Sequence, residues 1–329
     1  MAYSQFKNGL LKRNLYAVLA LLISVGAGAA DYPSKPVRLI VPFGPGSGTD
    51  ILARMIADEL TLQTGGNFII DNRAGASGII GAEAVAKAAP DGYTLLVTSN
   101  TTHSGNPALF KKLPYDPIAD FVPVARLLQW TAVLLCGPTV PATSMKELVS
   151  WAQTKKGAVN YAYSNAAGQL VAATLVQGSG MKDVGAIPYK SSPPAITDLV
   201  AGQVDFMVID TASAIGLIKS GNVRALAILS ESRNESLPGV PTFKESGFGN
   251  LNPPMFWGGV LAPANTPKPI VDQLNAALVK IVAKPAVSAR MRSLGSEPWS
   301  SSVDEFDKFL REQLTVWKAR VKAAGVEPQ

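Results

Sequence analysis

The chain has 329 residues, enough for two compact units with separate cores. Hydrophobic residues make up 47% and charged residues 16%, which excludes a disordered chain or a highly charged scaffold. The formal charge is +6, and leaving out Lys7, Lys12 and Arg13 of residues 1–30 lowers it to +3. No Lys/Arg block marks a nucleic-acid footprint, so no nucleic-acid partner is expected.

Those three basic residues precede the apolar stretch Leu15–Val25 and the small-residue tail Gly26-Ala27-Gly28-Ala29-Ala30. This is the layout of a cleaved secretory signal, with cleavage expected after Ala29 or Ala30. The apolar stretch is short for a membrane anchor, and small residues follow it where an anchor would continue. A soluble, exported, periplasmic product is the expectation.

Val37–Val41 reads as a strand, followed by the glycine turn 44–48 and a helix with Ile51, Leu52, Met55, Ile56 and Leu60 on one face. Phe68–Ile70 is a second strand, 78–88 a second helix and Thr94–Val97 a third strand. The β-α-β-α-β order predicts parallel strands with helical crossovers. After Val124, strands are expected at 132–135, 159–163, 185–189, 204–209 and 223–228. Helices are expected at 144–155, from about 168, at 195–200 and at 212–219. The C-terminal third reads as mostly helical. Thr266-Pro267 is its first N-cap and first-turn proline, and Ser302-Val303-Asp304-Glu305 a capping box. Two stretches of α/β order imply two lobes: 31–126 with 251–329, and 127–250, after a signal peptide at 1–30.

Reactive side chains are scarce. His103 is the only histidine and Cys136 the only cysteine, so a His-based metal cluster, a two-imidazole mechanism and an internal disulfide are excluded. Cys136 ends an apolar run and reads as a buried structural thiol. There is no Gly-x-Ser-x-Gly elbow, and the turn Gly44-Pro45-Gly46-Ser47-Gly48-Thr49 lacks the Gly-Lys-Ser/Thr ending of a phosphate loop. No paired carboxylates announce themselves. A non-enzyme without metal or cofactor is expected, with a hydrolase using Asp210 as a weaker alternative.

What the sequence offers instead is strand-to-helix turns rich in backbone N–H groups and small hydroxyls. Glycines let the main chain approach a ligand, and a helix start adds unpaired donors at a positive dipole end, which together can hold a carboxylate. The first such turn is Phe43, Gly44, Gly46, Ser47, Gly48 and Thr49; its bland reading is a tight βα connection. Ser99, Asn100 and Thr101 follow the third strand and share its rim, because ligands sit off the carboxyl ends of strands in doubly wound sheets. Their bland reading is a solvated polar loop. In the second lobe, Ser164, Asn165, Gly168 and Gln169, then Tyr189 and Lys190, then Asp210 occupy the matching strand ends. Asp210 is at least as readily an N-cap for the helix at 212–219.

At this level of detail the chain resembles a known family. Tyr32-Pro33-Ser34-Lys35-Pro36-Val37-Arg38-Leu39-Ile40-Val41-Pro42-Phe43 opening into Gly46-Ser47-Gly48-Thr49-Asp50 looks like the start of the Bug-type substrate-binding proteins of tripartite tricarboxylate transporters. The likeness continues through Asn72–Gly78, Ala88–Leu96, Asn106–Asp116, Pro188-Tyr189-Lys190, Ala201–Asp205, Leu237–Thr242 and Leu261–Pro267. The resemblance implies a type II periplasmic-binding fold, two α/β lobes closing over a ligand in the cleft, and delivery to membrane subunits. It also implies receptors for citrate, other dicarboxylates, acidic amino acids or aromatic acids, with a carboxylate held by main-chain donors. That carries over to Phe43–Thr49 and Ser99–Thr102. A monomer is expected, partnered by the transporter's membrane subunits or, alternatively, by a membrane sensor kinase. Two departures stand out. Gly44 replaces a proline found in many relatives, leaving that loop freer, and Ser164–Val171 differs from the usual Gly-Asn-Gly-Thr stretch.

Overall fold

Largely apolar runs become the inner strands, and amphipathic stretches cover them. The computed structural model describes residues 32–155, 157–251 and 256–328; the signal-sequence reading of 1–30 lies outside them. The chain begins β1 (Val37–Val41), α1 (Gly48–Thr64), β2 (Phe68–Asn72), α2 (Ile79–Ala86) and β3 (Thr94–Ser99). A π-helical turn at Thr101–Gly105 leads into α3 (Asn106–Leu109), and β4 (Phe121–Trp130) follows. The second lobe holds β5 (Ala132–Cys136), α4 (Met145–Thr154), β6 (Val159–Tyr163), α5 (Ala166–Gly178) and β7 (Val184–Pro188). It continues with α6 (Ser192–Val200), β8 (Phe206–Asp210), α7 (Thr211–Lys219) and β9 (Arg224–Leu229). The chain then returns with β10 (Phe256–Pro263), α8 (Lys268–Val282), α9 (Pro285–Ser293), β11 (Ser296–Pro298) and α10 (Val303–Ala323).

The fold is two α/β lobes, each with its own mixed sheet. The first sheet runs β11-β4-β10-β3-β1-β2 and the second β7-β6-β8-β5-β9. β1 pairs in parallel with β2 and β3, as the β-α-β-α-β order predicts. β10 lies antiparallel between β3 and β4, so the C-terminal third is not only helical but supplies an inner strand. Its Gly258-Gly259 pair hides that strand from a propensity reading. A Cβ on Gly259 would lie 2.6 Å from the Ala125 carbonyl, so the neighbouring backbone requires glycine there. β4 carries Pro123 beside a register shift and a buried Arg126, which masks it equally well.

β4 stays in the first sheet as far as Trp130, so the boundary expected at 126/127 falls inside it. Thr131 alone separates β4 from β5. Its N–H donates to Gly295 O at 3.0 Å and its carbonyl accepts from Thr211 N at 2.9 Å, tying the crossover to both lobes.

The C-terminal helices close the first lobe. α10 buries Phe306, Leu310, Gln313, Trp317 and Val321, and the Ser302–Glu305 capping box forms as expected. α8 begins one residue later than the sequence suggests. Pro267 is its N-cap, and the Thr266 hydroxyl donates instead to Pro263 O at 2.7 Å. Replacing Ser302 by alanine leaves first-turn N–H groups of α10 unpaired and is expected to cost about 1 kcal/mol. Urea unfolding should show that loss as a lower midpoint at constant slope.

Candidate ligand-binding cleft

The first rim is built around a carboxylate. Ser47 is the N-cap of α1, accepting from Asp50 N at 3.3 Å. Asp50 reaches back: its Oδ2 accepts from Gly46 N at 2.9 Å and Arg54 Nε at 2.9 Å, its Oδ1 from Asn72 Nδ2 at 2.9 Å and Arg54 Nη2 at 3.1 Å. Asn72 also donates to Phe43 O at 3.0 Å. Burial alone would raise the Asp50 pKa, but the Arg54, Gly46 and Asn72 hydrogen bonds outweigh it and hold the carboxyl below its ordinary value. The first-turn N–H groups of Gly48 and Thr49 have no acceptor inside the helix and lie at its positive end.

The stretch after β3 is a buried turn, not the solvated loop of its bland reading: Ser99 to Gly105 are all buried. Asn100 Oδ1 accepts from Trp257 N at 3.3 Å, while its Nδ2 is buried with no partner among the described residues. His103 packs edge-on to Phe121 at 4.6 Å, with Thr98 Oγ1 2.8 Å from its Nδ1. Burial pushes its pKa down to about 3. It is a core residue behind the rim.

The second rim consists of helix starts. Asn165 caps α5, accepting from Gly168 N at 2.7 Å, and the Ser164 and Ser192 hydroxyls are 3.0 Å apart. Asp210 caps α7, accepting from Ser213 N at 2.9 Å and Ser213 Oγ at 2.7 Å. Burial raises the Asp210 pKa against these bonds.

The lobes are closed on one another. Phe43, Ser47, Gly48, Thr49, Ser99, Asn100, Thr101, Ser164, Asn165 and Asp210 line one cavity of about 20 Å³. That is room for about one water. Ser192, which follows Tyr189 and Lys190 on the expected strand-end rim, completes its wall with Trp130 and Phe256, and these two escaped the sequence reading because they belong to the masked strands β4 and β10. Gln169, Tyr189 and Lys190 lie elsewhere, in a neighbouring compartment of about 410 Å³. It is also lined by Ala76, Ser77, Leu109, Phe110, Tyr163, Pro188, Val326 and Glu327. Gly44, Gly46 and Gly168 line neither. Gly168 packs inside α5 on the Val208 carbonyl, and Gly46 shapes the turn with φ +82°.

Direct contacts hold the closure. Ala166 N donates to Thr101 Oγ1 at 3.3 Å across the cleft. A Cβ on Gly48 would sit 2.5 Å from Asp210 Oδ1, and one on Gly44 2.8 Å from Ser191 Oγ. Gly44 is therefore a close-approach residue, whatever freedom its loop has.

Two sheets joined through Thr131, with polar residues from both rims lining an interlobe cavity, define a solute-binding receptor. The chain belongs to the tripartite tricarboxylate transporter receptor family, whose model matches residues 52–326. Protein BugT of Bordetella pertussis is 33% identical over 322 residues, covering 95% of this chain and 98% of BugT. Rpa4515 of R. palustris, solved with adipate, superposes with a TM-score of 0.87 at 32% identity, over 91% of this chain and 100% of that one. MatC of Rhodopseudomonas palustris, with bound malate, gives 0.82 at 32% identity, over 88% and 100%. The periplasmic binding protein BugD also superposes, with a TM-score of 0.85 at 33% identity, over 91% of this chain and 100% of that one. Among the described residues, no helix is long and apolar enough to cross a membrane.

Two predictions come from this geometry. Gly48→Val drives a side chain into Asp210 and holds the lobes apart, which small-angle scattering should register as a larger radius of gyration than wild type. The second concerns His103. It stays neutral when folded down to about pH 3, whereas an unfolded histidine protonates near 6.5, so the unfolded state gains stability as the pH falls below about 6.5. This group alone should remove roughly 2 kcal/mol of folding stability between about pH 7 and 5. In urea titrations, His103→Asn should lose that component; an undiminished fall in the variant places the titration elsewhere.

Proposed function

We propose that this chain is an extracytoplasmic receptor that captures a small carboxylate-bearing organic acid by lobe closure and delivers it to the membrane subunits of a tripartite tricarboxylate transporter. The observation that carries the reading is the donor set of the inner cavity. Gly48 and Thr49, whose N–H groups at the start of α1 lack helical acceptors, and Asn100, whose Nδ2 has no partner among the described residues, line one interlobe cavity. Donors on both rims are better satisfied when the lobes close over an anion, so binding shifts the open–closed equilibrium. Ser47, Thr101, Ser164 and Asn165 supply the remaining polar wall, while Trp130, Phe43 and Phe256 pack the ligand's carbon skeleton. The adipate and malate bound in the two R. palustris receptors support the carboxylate class. The larger compartment beside Lys190 and Gln169 offers space for the distal part of a longer acid.

The mature protein, screened by thermal shift against mono-, di- and tricarboxylates, amino acids and aromatic acids, should be stabilised by at least one acid. At about a hundredfold excess over Kd the stabilisation is about 2.7 kcal/mol. Gly46→Glu places a charge in the α1 turn and should abolish the shift. A screen with no responding acid, or unchanged shifts in Gly46→Glu, would sink this assignment.

A further inference from the structure

Among the described residues, Asp210 is the only formally charged side chain lining the inner cavity, and it stands where an acid's carboxylate is drawn. It is buried, 7% exposed, and Oδ1 is engaged by both donors of Ser213. A Cβ on Gly48 would lie 2.5 Å from Oδ1 and 3.2 Å from Oδ2, so the carboxylate is packed against the first turn of α1.

Among the described residues, no cation answers it from the packed elements. α1 brings Asp50 and Arg54, which bind each other, and further along Asp58 and Glu59. β5 brings Cys136, β6 Tyr161 and Tyr163, and α6 Asp198, which accepts from Tyr189. α5 brings no titratable group, and α7 only Lys219 in its last turn. Beside the Gly295 turn that abuts Thr211, Arg292 and Glu297 face one another at 3.6 Å.

Resting on the acid-receptor reading above, we propose that Asp210 makes acid capture proton-linked: its carboxylate competes with the ligand's for the donors at the start of α1, and the closed complex holds Asp210 neutral. The step balances as one ionised Asp210, one ligand carboxylate and one proton from solvent giving a complex in which the Asp210 O–H donates to the ligand carboxylate. Two carboxylates in one enclosed site cannot both stay ionised without a large cost, and sharing a proton converts repulsion into a hydrogen bond. Burial, which already favours the neutral form of Asp210, acts in the same direction.

Calorimetric titration with malate, adipate and benzoate tests this between about pH 6 and 8, where the probes remain largely ionised. For each probe that binds, affinity should rise by up to about tenfold per unit fall in pH, with uptake of up to about one proton read from the dependence of heat on buffer ionisation. Asp210→Asn keeps an N-cap for α7. It should bind independently of pH, take up no proton, and bind about tenfold more tightly than wild type at the alkaline end. Wild-type binding without proton uptake overturns the proposal but leaves the acid receptor standing. Weaker binding by Asp210→Asn at the alkaline end also overturns it, by making Asp210 an acceptor for a ligand hydroxyl or ammonium. Failure of every carboxylate at every pH overturns both readings. The wild-type proton count decides the matter even if the variant does not fold.

Discussion

The cleft depends on one buried carboxylate that never faces it. Asp50 gathers the Gly46 N–H, the Asn72 amide and the Arg54 guanidinium, and so locks the turn after β1 to the first turn of α1 and to the end of β2. A turn with this much glycine would otherwise sample many conformations, and its ordering entropy would be charged against every ligand. The internal ion pair settles that cost at folding. The N–H groups of Gly48 and Thr49 are then free and already oriented, because the turn's own polar groups are satisfied by Asp50 and Ser47. The loop carries no cationic side chain into the cavity, and a rigid donor set replaces a mobile charge.

Much of this was legible in the sequence, for identifiable reasons. The parallel strands announce themselves as apolar runs, and the helices between them by caps such as Ser302–Glu305. The rim residues of the first lobe could be found because strand ends and glycine turns coincide. What stayed hidden is set by distant neighbours. β10 carries Gly258 and Gly259 because β4 crowds it, and no local pattern records that. Trp130 and Phe256 enter the cavity only through the pairing of those two strands. Likewise, Ser99–Gly105 reads as a polar loop but is buried: Ser99 Oγ accepts from Thr101 N, Thr102 Oγ1 donates to Ser99 O, Thr102 O accepts from the Tyr115 hydroxyl and Asn100 Oδ1 from Trp257 N.

The second rim shows the limit of reading positions along a chain. Gln169, Tyr189 and Lys190 occupy strand ends as expected, yet they face a separate compartment, because α5 and α6 begin with short residues that close on the first lobe. Closure brings Ala166 to Thr101 and Asp210 to Gly48, contacts between residues far apart in sequence. Between them the chain crosses at Thr131, whose two backbone bonds tie it to both lobes.

The tryptophans carry a consequence of their own. Of the five in the chain, Trp257 and Trp317 are fully buried in the first lobe and Trp299 is stacked against the Arg126 guanidinium at 3.2 Å. Trp130 alone of the five lines the inner cavity, at the end of the strand that leads into the Thr131 crossover. Movement of one lobe against the other changes the solvent around that indole while the packing of Trp257 and Trp317 is carried along unchanged. The molecule therefore contains a native optical probe of its cleft, set against a nearly constant background.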